Sequence, residues 1–460
     1  GSGKKYKKCC LQKDEEAERA RLRPVEPPPP AVATPAANLP KPEPKKEPPA
    51  ESPPDPHVEA FNARWDEFEA QDYEGQIALF LRTLDDQELM DHEMASEMLN
   101  RIYYETIKHN ERDRYDALVS ALRARRPDIY AKGAVYYLRS LITNAVVAGR
   151  WDALPALANE IAETAGKDID TVNNVLDQLA YYGQLSVLVP AMRIAWPQVK
   201  DSHDIVPWGV DEFAFRIADY EIFQYLEHNP SPSAIDPELL ERIKGYVTFD
   251  PVRVERYVAH LTGQAGRSWT MRDFERPSRR DLDEGERKRP KRGGREKQNL
   301  YDLTVEFLGY LHREEEVSYT KGELGRDDIQ RYLLDRRAGE LEPRESMIQA
   351  MQRELQGRPK PKHKMRPPEH LLCPDRATLE RYLVRLLHFI NPQRYKAAAT
   401  LELTPAWLRF LESRQLIDAR QRDKTLLELR GLDTELLKIW EKYPDDPGLQ
   451  LGMKRWSETI

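Results

Sequence analysis

Residues 114–118 read Arg-Tyr-Asp-Ala-Leu, and residues 150–154 read Arg-Trp-Asp-Ala-Leu. Each phrase opens an apolar run whose hydrophobic residues return at spacings of three and four, the mark of a helix with one buried face. Asp72-Tyr73-Glu74 opens a third run, with Ile77, Phe80, Leu81 and Leu84 on its apolar face. Gly149 and Gly183 sit at turns between paired helices, and Leu154 and Leu188 follow them at equal distance. The recurrence is about 34 to 42 residues, the period of helix-turn-helix solenoids. A single helix pair cannot bury its own apolar face, so neighbours must stack, and stacking leaves a long concave surface suited to peptides or proteins. The expected fold is all-α: a degenerate α-solenoid over residues 57–265, loosely of the tetratricopeptide kind.

Outward from this body the composition changes twice. Residues 13–56 are dominated by runs such as Pro27-Pro28-Pro29-Pro30 and Lys41-Pro42-Glu43-Pro44. Their few apolar side chains cannot offset the entropy of ordering, so they read as a disordered, extended tether. Residues 266–299 are hydrophilic around Arg287-Lys288-Arg289-Pro290-Lys291-Arg292 and read as a basic flexible linker. Helical patterning resumes over residues 300–460, a C-terminal helical domain. Its helices are expected near 301–313, 326–337, 344–355, 376–389, 405–414 and 434–442. A short β-hairpin near Leu416 to Leu429 remains an open alternative.

The chain has 460 residues, 40% of them hydrophobic and 32% charged, with a net charge of −7. That balance suits helical domains and does not mark the whole molecule as a polyanion binder. No run of 18 or more apolar residues occurs, so membrane insertion is not expected. Three cysteines, Cys9, Cys10 and Cys373, are too few for a secreted disulfide scaffold and point to the reducing cytoplasm.

The opening phrase carries the most specific chemistry. Gly1-Ser2-Gly3-Lys4-Lys5-Tyr6-Lys7-Lys8-Cys9-Cys10 resembles the SEC-C motif, named for its place at the C-terminus of the SecA translocase ATPase. The family pattern is Cys-x-Cys, eight residues, then Cys followed by Cys or His. The resemblance covers about ten residues. It implies that Cys9 and Cys10 are the third and fourth ligands of a Zn2+ ion, a metal that thiolates hold well in a tetrahedron. The first cysteine pair would precede Gly1, so the site is incomplete here and the motif reads as truncated. Lys4, Lys5, Lys7 and Lys8 surround Tyr6, a cationic knuckle that suits an acidic surface or a phosphate backbone. In the family such a knuckle is associated with protein partners and the ribosome. The chain is therefore expected to be a non-enzymatic adaptor, with the ribosome, nascent chains or secretion chaperones as partners.

Weaker constellations lead elsewhere. His92-Glu93 lacks the second His of a zincin, since position 96 is serine. His363, His370 and Cys373 follow no metal-site spacing and read as loop residues. Thr404-Pro405 reads as a helix start, with Trp407, Leu408, Phe410 and Leu411 on the helix. Arg414, Arg420 and Arg422 would then be phosphate contacts of a helix-turn-helix-like unit. With the basic linker, that unit makes a nucleic-acid-associated regulator the alternative function. A third reading, an enzyme with a helical active site, would need buried ionisable residues lining a cleft.

Overall fold

The structure, a computed structural model, describes residues 56–86, 90–275, 294–343, 356, 369–388, 391–441 and 444–458. Among them every regular element is helical, as the periodicity predicts. No described helix is long and apolar enough to cross a membrane. The chain divides into two compact units at residues 133 and 134. That division falls inside the expected 57–265 region, and it places residues 134–265 and 300–460 in one unit.

In the first unit, α1 (Pro56–Glu69), α2 (Tyr73–Thr83), α3 (His92–Lys108) and α4 (Arg112–Arg125) pack each against its neighbour in sequence. Asp72 and Asp91 start α2 and α3 by accepting hydrogen bonds from the amides of Gly75 and Met94 at 2.8 Å. Phe68, Phe80, Met94, Met98, Ile102 and Leu122 form the interior. Asp72-Tyr73-Glu74 does open a helix. Arg114-Tyr115-Asp116 lies inside α4, where Tyr115 packs edge-on against Tyr103.

The division falls within α5 (Pro127–Val147). The second unit continues with α6 (Leu154–Ala162), α7 (Ile169–Tyr181), α8 (Leu185–Lys200), α9 (Pro207–His228), α10 (Pro237–Lys244) and α11 (Pro251–Leu261). Then follow α12 (Arg295–Glu314), α13 (Tyr319–Ala338), α14 (Arg376–Leu386), α15 (Arg394–Ser413), α16 (Ala419–Leu429), α17 (Leu432–Trp440) and α18 (Pro447–Glu458). Asp236-Pro237 and Asp250-Pro251 start α10 and α11, the carboxylate capping the helix while proline fills a position whose amide would be orphaned. Gly149 and Gly183 take positive φ of 68° and 73° at the ends of α5 and α7, as the turn reading expects. Leu154 and Leu188 are fully buried.

Packing in this unit is not confined to sequence neighbours. α7 lies against both α13 and α15, α9 against α13, and α12 against α15. In a solenoid each repeat touches only adjacent repeats; here one interior runs from Val135 to Trp456. Two expectations are corrected. The segment proposed as a hairpin near Leu416 to Leu429 is α16, started by Asp418 capping the Gln421 amide at 2.8 Å. Pro405 lies in the middle of α15 rather than at its start.

Polar groups tie the helices together. Asp446, just before α18, accepts from Tyr182 at 2.5 Å, Tyr395 at 2.9 Å and Gln178 at 3.2 Å. Glu221 of α9 takes both ends of the Arg193 guanidinium of α8 at 2.7 Å. These satisfied pairs fix helix register, because an unpaired buried charge would be costly.

Candidate functional site

The seven residues singled out as a zinc and partner-binding knuckle, Lys4, Lys5, Tyr6, Lys7, Lys8, Cys9 and Cys10, lie outside the described residues. So do His363 and the basic stretch around Arg287. Cys373 is buried and His370 sits beside it, its Nδ1 accepting from the Cys373 amide at 3.1 Å and the Leu372 amide at 3.2 Å. Arg336 holds the same loop by donating to the carbonyls of His370, Leu371 and Cys373. This is a structural loop, as the spacing suggests. Of the helix-turn-helix-like residues only the tryptophan is internal; Arg414 and Arg422 are half-buried in ion pairs, and Arg420 is exposed. Trp407 is buried in α15, Arg414 is bonded to Glu306, and Arg422 is bonded to Glu412.

The described residues converge on chemistry in the second unit. One face of α9 carries Trp208, Glu212, Phe215, Arg216 and Asp219, spaced by three or four residues so that they form a single stripe. The stripe is not covered: Trp208 is 70% exposed and Phe215 59%. It lines two cavities of about 380 and 500 Å³ that share Glu212, Arg216, Arg331 and Lys396. These volumes are in the range of small-molecule pockets.

Facing the stripe, α13 supplies Glu323, Arg326, Asp327, Asp328 and Arg331, and α15 supplies Lys396. Gly325 explains the close approach of those two helices. A side chain there would put its Cβ 2.5 Å from Leu403 Cδ1 and 3.0 Å from the Ala399 carbonyl oxygen. α7 adds Asp177, which is 2.6 Å from Arg216 and 3.7 Å from Lys396.

The polar groups are paired but not saturated. Arg326 is only 3% exposed, yet its guanidinium reaches Glu323 and Asp327 only at 3.4 Å, and its Nε has no partner. Asp177 Oδ1 and Arg216 Nη2 are in ion-pair contact without meeting hydrogen-bond geometry. The Tyr257 hydroxyl lies in the field of Asp219 and Arg326, and it too is buried outside hydrogen-bond geometry. Native interiors rarely leave several such groups together without water or a ligand to meet them.

Burial decides the protonation of the acids. Desolvation raises the Asp219 and Glu323 carboxyls well above the usual range. The Glu323 charge adds to the rise at Asp219, and Asp327 adds to it at Glu323, while Arg326 opposes both. Desolvation also raises Asp328 to about 6, against the pull of Lys396. Lys396 itself is raised, chiefly by Asp177. The acids thus retain protons that a solvated carboxylate would lose, while the bases stay charged.

No family model, curated protein or solved structure matches the chain. The cleft must therefore be read from its own residues. Among the described residues no group of three or more His, Cys, Asp or Glu is arranged to hold a metal ion. What the cleft offers is aromatic faces, hydrogen-bond donors and acceptors of both signs, and carboxyl groups poised to exchange protons.

Proposed function

We propose that the chain is an adaptor with two binding ends. One end is the basic knuckle, where Cys9 and Cys10 supply two thiolates to a zinc ion completed by two further ligands. Lys4, Lys5, Tyr6, Lys7 and Lys8 present an acidic or phosphate-bearing partner with a cationic face in the cytoplasm. The ribosome, nascent chains and secretion chaperones are the partners that the SEC-C resemblance suggests. The other end is the cleft of the second unit, which holds a polar ligand of small-molecule width. The observation that carries the second end is an uncovered aromatic stripe on α9 beside a buried, under-bonded Arg326.

Ligand-observed NMR of the full chain against a library of polar small molecules tests the cleft end. Binders are expected whose signal disappears with Phe215→Ala, a variant that leaves the fold alone because Phe215 is exposed. A library without binders, or binders indifferent to Phe215→Ala, would remove this end of the adaptor.

One observation favours a second reading, acid–base catalysis in the same cleft. Asp219 and Glu323 line the same cavity, and burial raises both carboxyls, so each can hold a proton to donate to a bound ligand. Turnover of a bound ligand that Asp219→Asn abolishes while binding persists would establish it. Binding without turnover leaves the adaptor.

A further inference from the structure

The charges of the cleft cancel locally, and that limits what it can hold. Arg216 and Lys396 share Asp177, and Arg326 lies between Glu323 and Asp327. Arg331, which lines both cavities, lies in the field of Asp328, Asp327 and Glu212, so cations and carboxyl groups are interleaved along the cleft. The cavity offers groups of both kinds: Arg326 Nε is a donor without a partner, and the carboxyl groups of Asp219, Glu323 and Asp327 beside it are acceptors. A ligand that meets them must donate and accept in many directions while carrying little charge. Hydroxyl groups do this, since each offers one donor and two acceptor sites.

The apolar part of the cleft has a matching form. Trp208 and Phe215 are separated by two turns on the exposed face of α9, about 10 Å along the axis, and Tyr301 of α12 adds a third partly exposed ring. Glu212 stands between the first two on the same stripe. Separated flat rings with polar groups between them suit a ligand that alternates weakly apolar faces with polar edges. A helical peptide would need a continuous apolar groove, and an extended strand would need a free sheet edge. The described residues of the cleft offer neither.

We infer that the cleft binds a neutral saccharide, with sugar faces stacked on Trp208 and Phe215 and sugar hydroxyls meeting Arg326, Asp219 and the carboxyl groups of α13. The inference rests on the reading of the cleft as a ligand site and names its ligand class. The two adjoining cavities, sharing Arg216 and Lys396, suit an oligosaccharide rather than a single ring.

The test titrates the full chain with neutral gluco-, xylo-, manno- and chito-oligosaccharides, and in parallel with inorganic phosphate, a lysine-rich peptide and a glutamate-rich peptide. Tryptophan fluorescence and saturation-transfer NMR are the readouts. At least one oligosaccharide is expected to saturate. Its affinity should fall roughly tenfold in Trp208→Ala and in Phe215→Ala, the loss of one ring stack, with the melting temperature unchanged because both side chains are exposed. Salt at about 0.5 M should change that affinity less than about twofold, since screening acts on charged ligands. Phosphate or a charged peptide that saturates the cleft, where no oligosaccharide does, overturns the saccharide and leaves the cleft a ligand site. An oligosaccharide bound equally by both alanine variants overturns the assignment to this cleft. Silence from every probe overturns the saccharide, and the ligand site falls with it if the polar library is silent as well.

Discussion

Replacing Asp328 by asparagine tests whether the cleft's acids carry the pH dependence that their burial demands. Asp328 is 2% exposed and accepts a hydrogen bond from Tyr382 at 2.5 Å. Desolvation lifts its pKa from 3.8 to about 6, a rise of about two units, or ~3 kcal/mol. The folded chain therefore keeps a proton that the unfolded chain gives up. The stability this confers is complete below about pH 4 and is lost as pH rises through about 6. An amide keeps an acceptor for Tyr382 and has nothing to ionise. The variant should match the natural protein near pH 4 and exceed it by up to ~3 kcal/mol near pH 8, a shift of several degrees in a unit this large. Asp219 and Glu323 push in the same direction in both proteins, so the difference between the two curves isolates Asp328. Thermal melts followed by tryptophan fluorescence suit the purpose, because seven of the eight tryptophans lie after residue 133. A difference that stays flat across pH, or a variant less stable than the natural protein near pH 8, would refute the reasoning.

Three further outcomes follow from the same structure. Asp446→Ala removes the acceptor shared by Tyr182, Tyr395 and Gln178; stranding these donors should cost about 4 kcal/mol, read as a lower urea midpoint. Gly325→Val places side-chain atoms against Leu403 and the Ala399 carbonyl; overpacking should cost about 2 kcal/mol and weaken cleft binding, since α13 must move away from α15. Cys373 is buried, and desolvation pushes its thiol up to about 11. In a Cys9→Ser, Cys10→Ser background, thiol reagents should therefore label the chain only as fast as it unfolds.

The helices were legible in the sequence where local chemistry decides them. Gly149 and Gly183 mark ends that the structure places as expected, and the Asp-Pro pairs at 236 and 250 prove to be helix starts of the same local kind. Pro405 misleads because proline usually begins a helix. Here the helix runs through it from Arg394, anchored by Ala397, Ala398 and Ala399 in the interior. Burial against partners distant in sequence outweighs the local breaking tendency. Residues 416–429 mislead in a similar way, since the Asp418 cap fixes a helix that the short apolar pattern leaves ambiguous.

The cleft was not legible at all. Its charges come from α7, α9, α13 and α15, and in sequence each looks like a residue on a solvated helix face. Arg326 and Asp328 are buried because Gly325 lets α13 sit tightly on α15, a tertiary fact. The one available signal was the phrase Gly322-Glu323-Leu324-Gly325-Arg326-Asp327-Asp328. Two glycines inside a charged helix hint at close packing rather than solvation.

Hydrogen–deuterium exchange of the full chain, with and without a saturating cleft ligand, tests the central claim most directly. The account predicts slowed exchange in the segments that form the cleft, residues 206–219, 323–331 and 391–396, and unchanged exchange in α10 and α16. Protection confined to other segments, or no protection at saturation, would contradict it.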